Sequence, residues 1–351
     1  MNKKDPVFLV DGYGLIYRAY YAFIRNPLRN PKGENSSAVY GFILALDKLI
    51  RQENPVYLGV IMDSITPTFR HEKYAEYKAK REKAPEDLHP QIPRKEAICA
   101  ARGIPCLREN GFEADDLIAT VALRCKKEGI PCRIFSRDKD LLQLIDDAAG
   151  IQVLYPESGS DDYAVWGSAD VKEKKGITPS QVVDFLSLTG DASDNIPGVP
   201  GIGEKTALKL LSDFGDLDTL YAGIDSVASA AQKKKLAEGR ESALLSRDLV
   251  TLHTDVPFGG IESLKRGSTD RERLISLYRE EGFSSLLKDI GEVDDVDRGF
   301  GQTAPGTYKS VSTLEELDRW IEKLEKAGVF AFDTETDSVD ALSANLLGFS
   351  F

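Results

Sequence analysis

Residues Ala114 to Asp140 have the sequence ADDLIATVALRCKKEGIPCRIFSRDKD, in which a helix pattern, a turn, a strand pattern and paired carboxylates follow one another. Apolar residues recur at helical spacing over Ala114–Glu128, and Gly129 ends that periodicity. The apolar run Arg133–Phe135 then predicts a strand, with a proline where it begins. This order of helix, glycine, strand and aspartate is typical of the repeating unit of an α/β sheet.

The same unit recurs toward the N-terminus. The tetrapeptide Gly-Ile-Pro-Cys that starts at Gly129 has a copy that starts at Gly103. The other predicted elements are the strands Val7–Val10 and Val56–Met62, the helix Ser37–Gln52 and the helix end Glu96–Arg102. We therefore predict an α/β fold over residues 1–175, with a parallel sheet flanked by helices.

The chain changes character after residue 175. Helical periodicity covers residues 176–290 and is interrupted by the turn-rich segment Gly190–Glu204. Acidic residues and glycines without apolar periodicity predict an interdomain linker at residues 291–308. Residues 309–351 predict the start of another domain, with a buried strand Val329–Phe332. This segment is too short for a stable domain, so we expect the chain to end inside it.

The composition excludes several classes of protein. Hydrophobic residues make up 42% of the chain, which is enough for a core, and the apolar runs are far shorter than the roughly 20 residues that span a bilayer. We therefore expect a cytoplasmic protein. Four cysteines without CxxC spacing favour reduced thiols over a zinc site or a disulfide framework. With three histidines, none beside a nucleophile-like serine or cysteine, chemistry must depend on carboxylates.

The charge is distributed unevenly. A net charge of −12 at pH 7 taken alone argues against a nucleic-acid partner. The segment Arg70–Lys83, however, carries six basic and three acidic side chains. A basic strip on an acidic protein suits a polyanion that is handled at an acidic, metal-filled centre.

Nine carboxylates follow predicted strands or begin predicted helices: Asp11, Asp63, Glu113, Asp115, Asp116, Asp138, Asp140, Asp191 and Asp194. Ligands of α/β sheets bind outside the carboxyl ends of the strands, so these side chains are expected to converge. Because so many neighbouring carboxylates cannot all ionise without cations, the set favours two or more Mg²⁺ or Mn²⁺ ions. Two such ions clamp the attacking and leaving oxygens of an in-line phosphoryl displacement. Taken singly, an aspartate after a strand is commonly a helix cap or a turn residue.

Short motifs occur in a fixed order along the chain. They are Val10-Asp11-Gly12, Tyr17-Arg18-Ala19-Tyr20, Met62-Asp63-Ser64, Phe69-Arg70, Tyr77-Lys78-Ala79-Lys80-Arg81, Glu113-Ala114-Asp115-Asp116, Arg137-Asp138-Lys139-Asp140 and Gly190-Asp191-Ala192-Ser193-Asp194-Asn195-Ile196-Pro197-Gly198. This set, over residues 5–290, resembles the 5′ nuclease (5′→3′ exonuclease) domain of bacterial DNA polymerase I, in the flap-endonuclease superfamily. Phe330–Ser338 resembles the opening motif of the 3′→5′ exonuclease domain of that polymerase. The resemblance implies a PIN-like nuclease fold whose metal site is formed by the nine carboxylates.

The resemblance also implies two surfaces that bind DNA. Residues 70–95 correspond to the family's helical arch, in which Lys78 and Arg81 face the scissile phosphate and Tyr77 is available to stack a base. The resemblance thereby implies a catalytic role for Lys78, Arg81 and Tyr77. Gly198–Ala207 corresponds to a helix-hairpin-helix variant that approaches a phosphate and, in the family, often binds K⁺. The residues assigned to DNA binding are Arg18, Tyr20, Arg70, Gly198, Gly201, Gly203, Lys205, Thr206 and Lys209.

The function that the resemblance implies is a structure-selective 5′ nuclease. It would hydrolyse phosphodiester bonds at 5′ ends, flaps, nicks and RNA primers of duplex DNA in replication and repair, with a polymerase region linked covalently in the full-length protein. A PIN-like ribonuclease is one alternative, which the hairpin disfavours. A catalytically silent DNA-binding scaffold is another, which the retention of all nine carboxylates disfavours.

Overall fold

The computed structural model describes residues 5–81, 83–157, 162–291, 311, 313–327, 329–337 and 345–350. The chain divides into two compact units, Met1–Val293 and Asp294–Phe351. The predicted linker at 291–308 lies, apart from its first residue, outside the described residues. No helix in the described ranges is both long enough and apolar enough to cross a membrane.

A six-stranded sheet forms the centre of the first unit, in the order β3-β2-β1-β4-β5-β6. The strands are β1 Val7–Asp11, β2 Tyr57–Ile61, β3 Cys106–Leu107, β4 Cys132–Phe135, β5 Ile151–Pro156 and β6 Tyr163–Trp166. The first five strands are parallel, which confirms the predicted α/β fold. The edge strand β6, which the sequence analysis did not predict, pairs antiparallel to β5 and makes the sheet mixed.

Helices cover both faces of this sheet and continue into a helical region. Those of the sheet region are α1 Gly12–Ala22, α2 Ser37–Glu53, α3 Phe69–Lys73, α4 Gln91–Ala101, α5 Ala114–Glu128 and α6 Ser168–Lys175. Those that follow are α7 Val182–Thr189, α8 Glu204–Phe214, α9 Leu217–Ala222, α10 Ala230–Glu238, α11 Arg240–Val250, α12 Arg271–Glu281 and α13 Ser284–Asp289. Short 3₁₀ turns lie at Asp140–Leu144, Pro179–Gln181, Ile224–Ser226 and Ile261–Leu264.

The alternation of side chains along β1 explains why the sheet is covered on both faces. Val7 and Leu9 belong to a core that includes α5 to α11, whereas Phe8 and Val10 belong to a core that includes α1, α2, α4, α12 and α13. Successive residues of a strand point to opposite faces, so a strand that is apolar throughout must be buried on both sides. This packing leaves the carboxyl edge of the sheet as the open end of the unit.

The loop between α7 and α8 is held by two glycines that touch each other. Gly190 and Gly198 both have left-handed backbone conformations, with φ of 70° and 62°. A Cβ on Gly198 would lie 2.3 Å from the Gly190 nitrogen. The contact folds the chain between them into a tight turn whose Asp191 and Ile196 exchange backbone hydrogen bonds. Asp191 is thereby placed at the carboxyl edge of the sheet, and the hairpin begins at Gly198, where the turn ends.

The second unit consists of α14 Leu314–Ala327 and a two-stranded antiparallel sheet, β7 Asp333–Thr336 and β8 Leu346–Ser350. The predicted buried strand Val329–Phe332 is wrong. Pairing begins at Asp333, and Val329 and Phe332 are exposed by 88% and 59%. Two strands and one helix offer too little apolar surface to bury these side chains.

We expect Gly198→Ala to destabilise the first unit by about 2–4 kcal/mol. Alanine would pay about 1–2 kcal/mol for the left-handed conformation, and its Cβ would also force the Gly190 backbone to move. Gly203→Ala is the matched control, because Gly203 has φ of −96° and an added Cβ there meets no described heavy atom within 4 Å. Urea unfolding measures both variants, and equal small losses would contradict the structural role of Gly198.

Candidate active site

Eight of the nine predicted carboxylates line one crevice of about 410 Å³ at the carboxyl edge of the sheet: Asp11, Asp63, Glu113, Asp115, Asp138, Asp140, Asp191 and Asp194. Asp11 ends β1, and Asp63 follows β2 by two residues. Glu113 precedes α5, and the loop after β4 supplies Asp138. The parallel direction of these strands is therefore what brings distant carboxylates together.

Local hydrogen bonds orient these carboxylates. Asp11 accepts from the Gly14 backbone N–H and from the Ser136 hydroxyl, both at 2.8 Å. Oδ1 of Asp63 accepts from the Ala114 backbone N–H at 2.8 Å. Asp138 accepts from the Asp140 backbone N–H at 2.8 Å in the same way. These aspartates therefore do have the capping and turn roles that are common after a strand. The same hydrogen bonds also fix the orientation of their carboxylates in the crevice.

Two lysines enter the crevice and pair with its carboxylates. Nζ of Lys78 lies 2.8 Å from Glu113 and 3.7 Å from Asp194, and Nζ of Lys139 lies 2.9 Å from Asp191. Within the described ranges, no three His, Cys, Asp or Glu side chains are arranged to hold a metal ion. In this arrangement the lysine ammoniums therefore supply part of the neutralising charge.

Burial makes ionisation of the crevice carboxylates costly. It raises the pKa of Asp11 and of Asp63, and in both cases a neighbouring carboxylate raises it further. Burial and the negative charge of the nearby Asp11 raise the pKa of Asp138 to about 6. Burial and Asp138 also raise the pKa of Asp140 well above its ordinary value. A bound cation would lower these values, because it stabilises the ionised form.

Asp191 is the exception among these groups. Burial acts to raise its pKa, but hydrogen bonds from Lys139 and Ser193 outweigh burial and hold the pKa below its usual value. Its Oδ1 atom accepts from the Ser193 hydroxyl at 2.7 Å. Asp191 is therefore already stabilised as an anion by the protein itself.

Asp116 does not reach the crevice, contrary to the prediction that it holds a metal. Its side chain is fully buried, and its oxygens lie 2.7 Å from the two terminal nitrogens of Arg70. The same oxygens accept from the backbone N–H groups of Glu113 and His253. Four hydrogen bonds saturate the carboxylate, so it serves as the counter-ion of a buried arginine.

The prediction that Arg70, Tyr77 and Tyr20 contact DNA is contradicted by their burial. Arg70 is 1% exposed and also donates from Nε to the Leu249 carbonyl at 2.7 Å. Tyr77 is 4% exposed and donates to Glu113 at 2.9 Å, so its ring is not presented to a base. Tyr20 is 9% exposed and donates to Asp87 at 2.8 Å. All three side chains are used inside the protein.

The predicted arch at residues 70–95 is not a continuous helix. The five-residue α3 is followed by turns, and α4 begins only at Gln91. Lys78 has a left-handed backbone with φ of 56°, and its N–H donates to the Asp194 carbonyl at 2.9 Å. These contacts seat the segment on the loop that carries Asp194. Lys78 and Arg81 consequently line the crevice. That they face a scissile phosphate stays a prediction.

The hairpin residues fall into two groups. Lys205 and Lys209 are exposed on α8, Gly201 and Gly203 are exposed in the loop before it, and Thr206 is half-buried. Gly198, in contrast, is buried, and its N–H donates to the Ser246 hydroxyl, so it has a structural role. Outside the hairpin, Arg18 is half-buried and donates to the Glu157 carbonyl at 3.0 Å.

Three basic residues that the sequence analysis assigned no role line the crevice: Arg137, Lys139 and Lys175. Arg137 and Lys139 flank Asp138 in a quoted motif, so their position was available from the sequence. Lys175 ends the polar helix α6, and nothing in the sequence distinguishes it from its lysine neighbours.

Comparison with known protein families follows the same division of the chain. Residues 6–176 match the model described as 5′-3′ exonuclease, N-terminal resolvase-like domain, and residues 177–272 match 5′-3′ exonuclease, C-terminal SAM fold. The chain belongs to the 5′-3′ exonuclease family. Residues 308–351 match the 3′-5′ exonuclease model. Both resemblances noted in the sequence are thereby confirmed.

Curated relatives of this 5′-3′ exonuclease chain are named DNA polymerase I. That of Bacillus subtilis is 40% identical over 293 residues, which cover 83% of this chain and 33% of the relative. That of Treponema pallidum is 47% identical over 257 residues, which cover 73% of this chain and 25% of the relative. The chain thus spans about a quarter to two fifths of the length of the curated relatives it matches.

Solved structures confirm the fold. T5 5′-exonuclease with bound zinc is 19% identical, with a TM-score of 0.58 over 82% of this chain and 99% of that one. The catalytic core of Rad2 in complex with DNA substrate is 17% identical, with a TM-score of 0.54 over 82% of this chain and 92% of that one. At these identities the likeness concerns the fold alone.

The neighbours Asp115 and Asp116 are expected to respond in opposite ways to removal of their charge. Asp116→Asn should lower the free energy of unfolding by about 3–5 kcal/mol, because it leaves the buried Arg70 short of a counter-ion. Asp115→Asn should leave it unchanged or raise it, since burial and the adjacent carboxylates disfavour the ionised form. Urea unfolding of both variants measures the difference, and equal effects would contradict the two environments.

Proposed function

We propose that this chain is a structure-selective 5′ nuclease. It would hydrolyse phosphodiester bonds at 5′ ends, flaps, nicks and RNA primers of duplex DNA in the cytoplasm of a bacterial cell. The observation that carries the proposal is the crevice, in which eight carboxylates converge at the carboxyl edge of the sheet. The residues that form this sheet match the N-terminal domain of the 5′-3′ exonuclease family. Relatives named DNA polymerase I support a role in replication and repair, joined to a polymerase region.

The donor set of the crevice fits hard divalent cations such as Mg²⁺ or Mn²⁺. Among the described residues, Oδ1 of Asp140 is buried and has no hydrogen-bond partner. An orphaned carboxylate oxygen in a polar crevice is an acceptor suited to a cation. The T5 5′-exonuclease was crystallised with divalent metal ions, which supports the same assignment. We assign the metals to the eight crevice carboxylates and omit Asp116.

The roles of this chain's own residues follow from their places. The carboxylates would hold the cations, which when bound would supply Lewis-acid activation of water and stabilisation of charge on the phosphate. Lys78 and Arg81 lie in the same crevice and would neutralise charge that develops on the scissile phosphate. The hairpin, with Lys205 and Lys209 on α8, would hold the duplex backbone and take K⁺ at its loop.

The two alternatives would share this fold, and one feature of the chain argues against each of them. A PIN-like ribonuclease would share the crevice but has no use for a duplex hairpin, and the second family model covers that hairpin. A silent scaffold would not need Asp140 to keep a buried, unpartnered oxygen, which costs stability unless a cation satisfies it.

The direct test is cleavage of a 5′-flap duplex, compared with single-stranded RNA, in Mg²⁺ and in EDTA. We expect flap cleavage only with Mg²⁺ and little degradation of the RNA. Asp115→Asn is the control for the crevice, because it should abolish cleavage while flap binding persists. Preferential cleavage of the RNA would favour the ribonuclease, and absence of all cleavage would favour the scaffold.

Lys78→Ala and Arg81→Ala are expected to lower the single-turnover cleavage rate by about a hundredfold or more while changing flap affinity little. Both residues would act on charge that develops in the transition state, for which the loss of one donor has an effect of this size. Lys80→Ala is the matched control, because Lys80 is an exposed cation of the same segment and does not line the crevice. Weakened binding with an unchanged rate would refute this role.

A further inference from the structure

A second cavity of about 480 Å³ adjoins the crevice. Its apolar lining comes from the 3₁₀ turn after β4, from the loop after α6, and from α7 and α8: Leu142, Ile177, Val182, Phe185, Leu186 and Leu208. Most of these side chains are buried, whereas Phe185 and Leu208 are half-buried. The size and the apolar walls are those of a pocket for a small organic group.

Basic side chains outnumber acidic side chains around this cavity. Lys139, Lys174 and Lys175 line it, against the single acid Glu204. Lys139 is paired with Asp191, which leaves Lys174 and Lys175 as the cations available to a ligand. Lys174 and Lys175 are exposed, and the Lys174 ammonium lies 5.6 Å from the centre of the Trp166 ring. On a chain whose net charge is −12, two exposed lysines at one cavity point to an anionic ligand.

The cavity lies between the two parts of the proposed nuclease site. Lys139 and Lys175 line both this cavity and the carboxylate crevice. Glu204 and Leu208, on its other side, belong to the first turns of α8, the helix that carries Lys205 and Lys209. A DNA strand held at the crevice and near the hairpin would therefore run past the cavity mouth.

From this arrangement, and resting on the proposed nuclease function, we propose that the cavity binds one unpaired nucleotide of the DNA substrate next to the crevice. The phosphate would contact Lys174 and Lys175, and the base would lie against Phe185 and Leu208. An unpaired base suits the apolar walls, because in a duplex its faces are covered by stacking. The phosphate of a nucleotide would pair with the lysines. An apolar small molecule would offer these ammonium groups no partner.

The test measures binding of the full chain to a 5′-flap duplex in EDTA, by fluorescence anisotropy over a range of salt concentrations. Lys175→Ala should reduce the slope of log affinity against log salt by about one unit, as expected for one lost phosphate contact. Lys172→Ala is the matched control, because Lys172 is on the same helix but does not line the cavity. We expect its slope to equal that of the unaltered chain.

The base contact is tested on the DNA as well as on the protein. An abasic site is moved one nucleotide at a time through the single-stranded flap and the first duplex positions. At one position we expect affinity to fall about fivefold or more, which corresponds to the loss of one stacked base. Phe185→Leu preserves apolar packing but removes the aromatic ring, and its effect should not add to that of the abasic site. The abasic series on the unaltered chain is independent of how the variant folds.

Three results would overturn the inference. They are an unchanged salt slope for Lys175→Ala, no sensitive abasic position, and additive effects of the abasic site and Phe185→Leu. A changed slope without a sensitive position would mean that the lysines hold only the backbone, which also refutes a nucleotide pocket. Flap cleavage in Mg²⁺ is scored separately, so failure of this inference is distinguishable from failure of the nuclease proposal.

Discussion

The carboxylate crevice depends on a buried ion pair between the guanidinium of Arg70 and the carboxylate of Asp116. Arg70 is 1% exposed, and it joins Asp116 of α5 to the backbone carbonyls of Leu249 and Thr251. Burial alone would lower its pKa, but the hydrogen bond with Asp116 and the nearby carboxylates outweigh burial and raise it, so the group stays charged. Breaking one partner of such a pair costs about 3–5 kcal/mol, because the other charge remains buried. Three distant segments are therefore held in one arrangement.

That arrangement places the basic segment against the acids. Arg70 also lies 3.3 Å from Glu113, which in turn accepts from Tyr77 and from Lys78. A chain of hydrogen bonds thus runs from the buried pair to the crevice. It seats the turns after α3 at the crevice edge, so Lys78 can neutralise carboxylates that burial would otherwise protonate. Under the proposed function, the same ammonium would also neutralise negative charge that develops on a bound phosphate.

Much of the fold was accessible to sequence reasoning because it depends on local signals. The helix predicted at Ala114–Glu128 has the same ends as α5, and the strands β1, β2 and β4 begin and end within one residue of their predicted bounds. The capping residues before α5 and the glycine after it act within one helical turn. The prediction of a buried strand at Val329–Phe332 was wrong because apolar residues are buried only where another layer packs against them. The two strands of the second unit do not provide such a layer.

Sequence patterns place the carboxylates after predicted strands, and the alternation of strands and helices predicts that those strands are parallel. The convergence of the carboxylates could therefore be inferred without the structure. Which of these carboxylates face the crevice depends on how the folded chain packs. Asp115 and Asp116 are adjacent and chemically identical, yet successive helical residues point about 100° apart. Asp115 therefore lines the crevice, whereas Asp116 meets an arginine 46 residues away along the chain. Such a partner is set by packing, which no local pattern encodes.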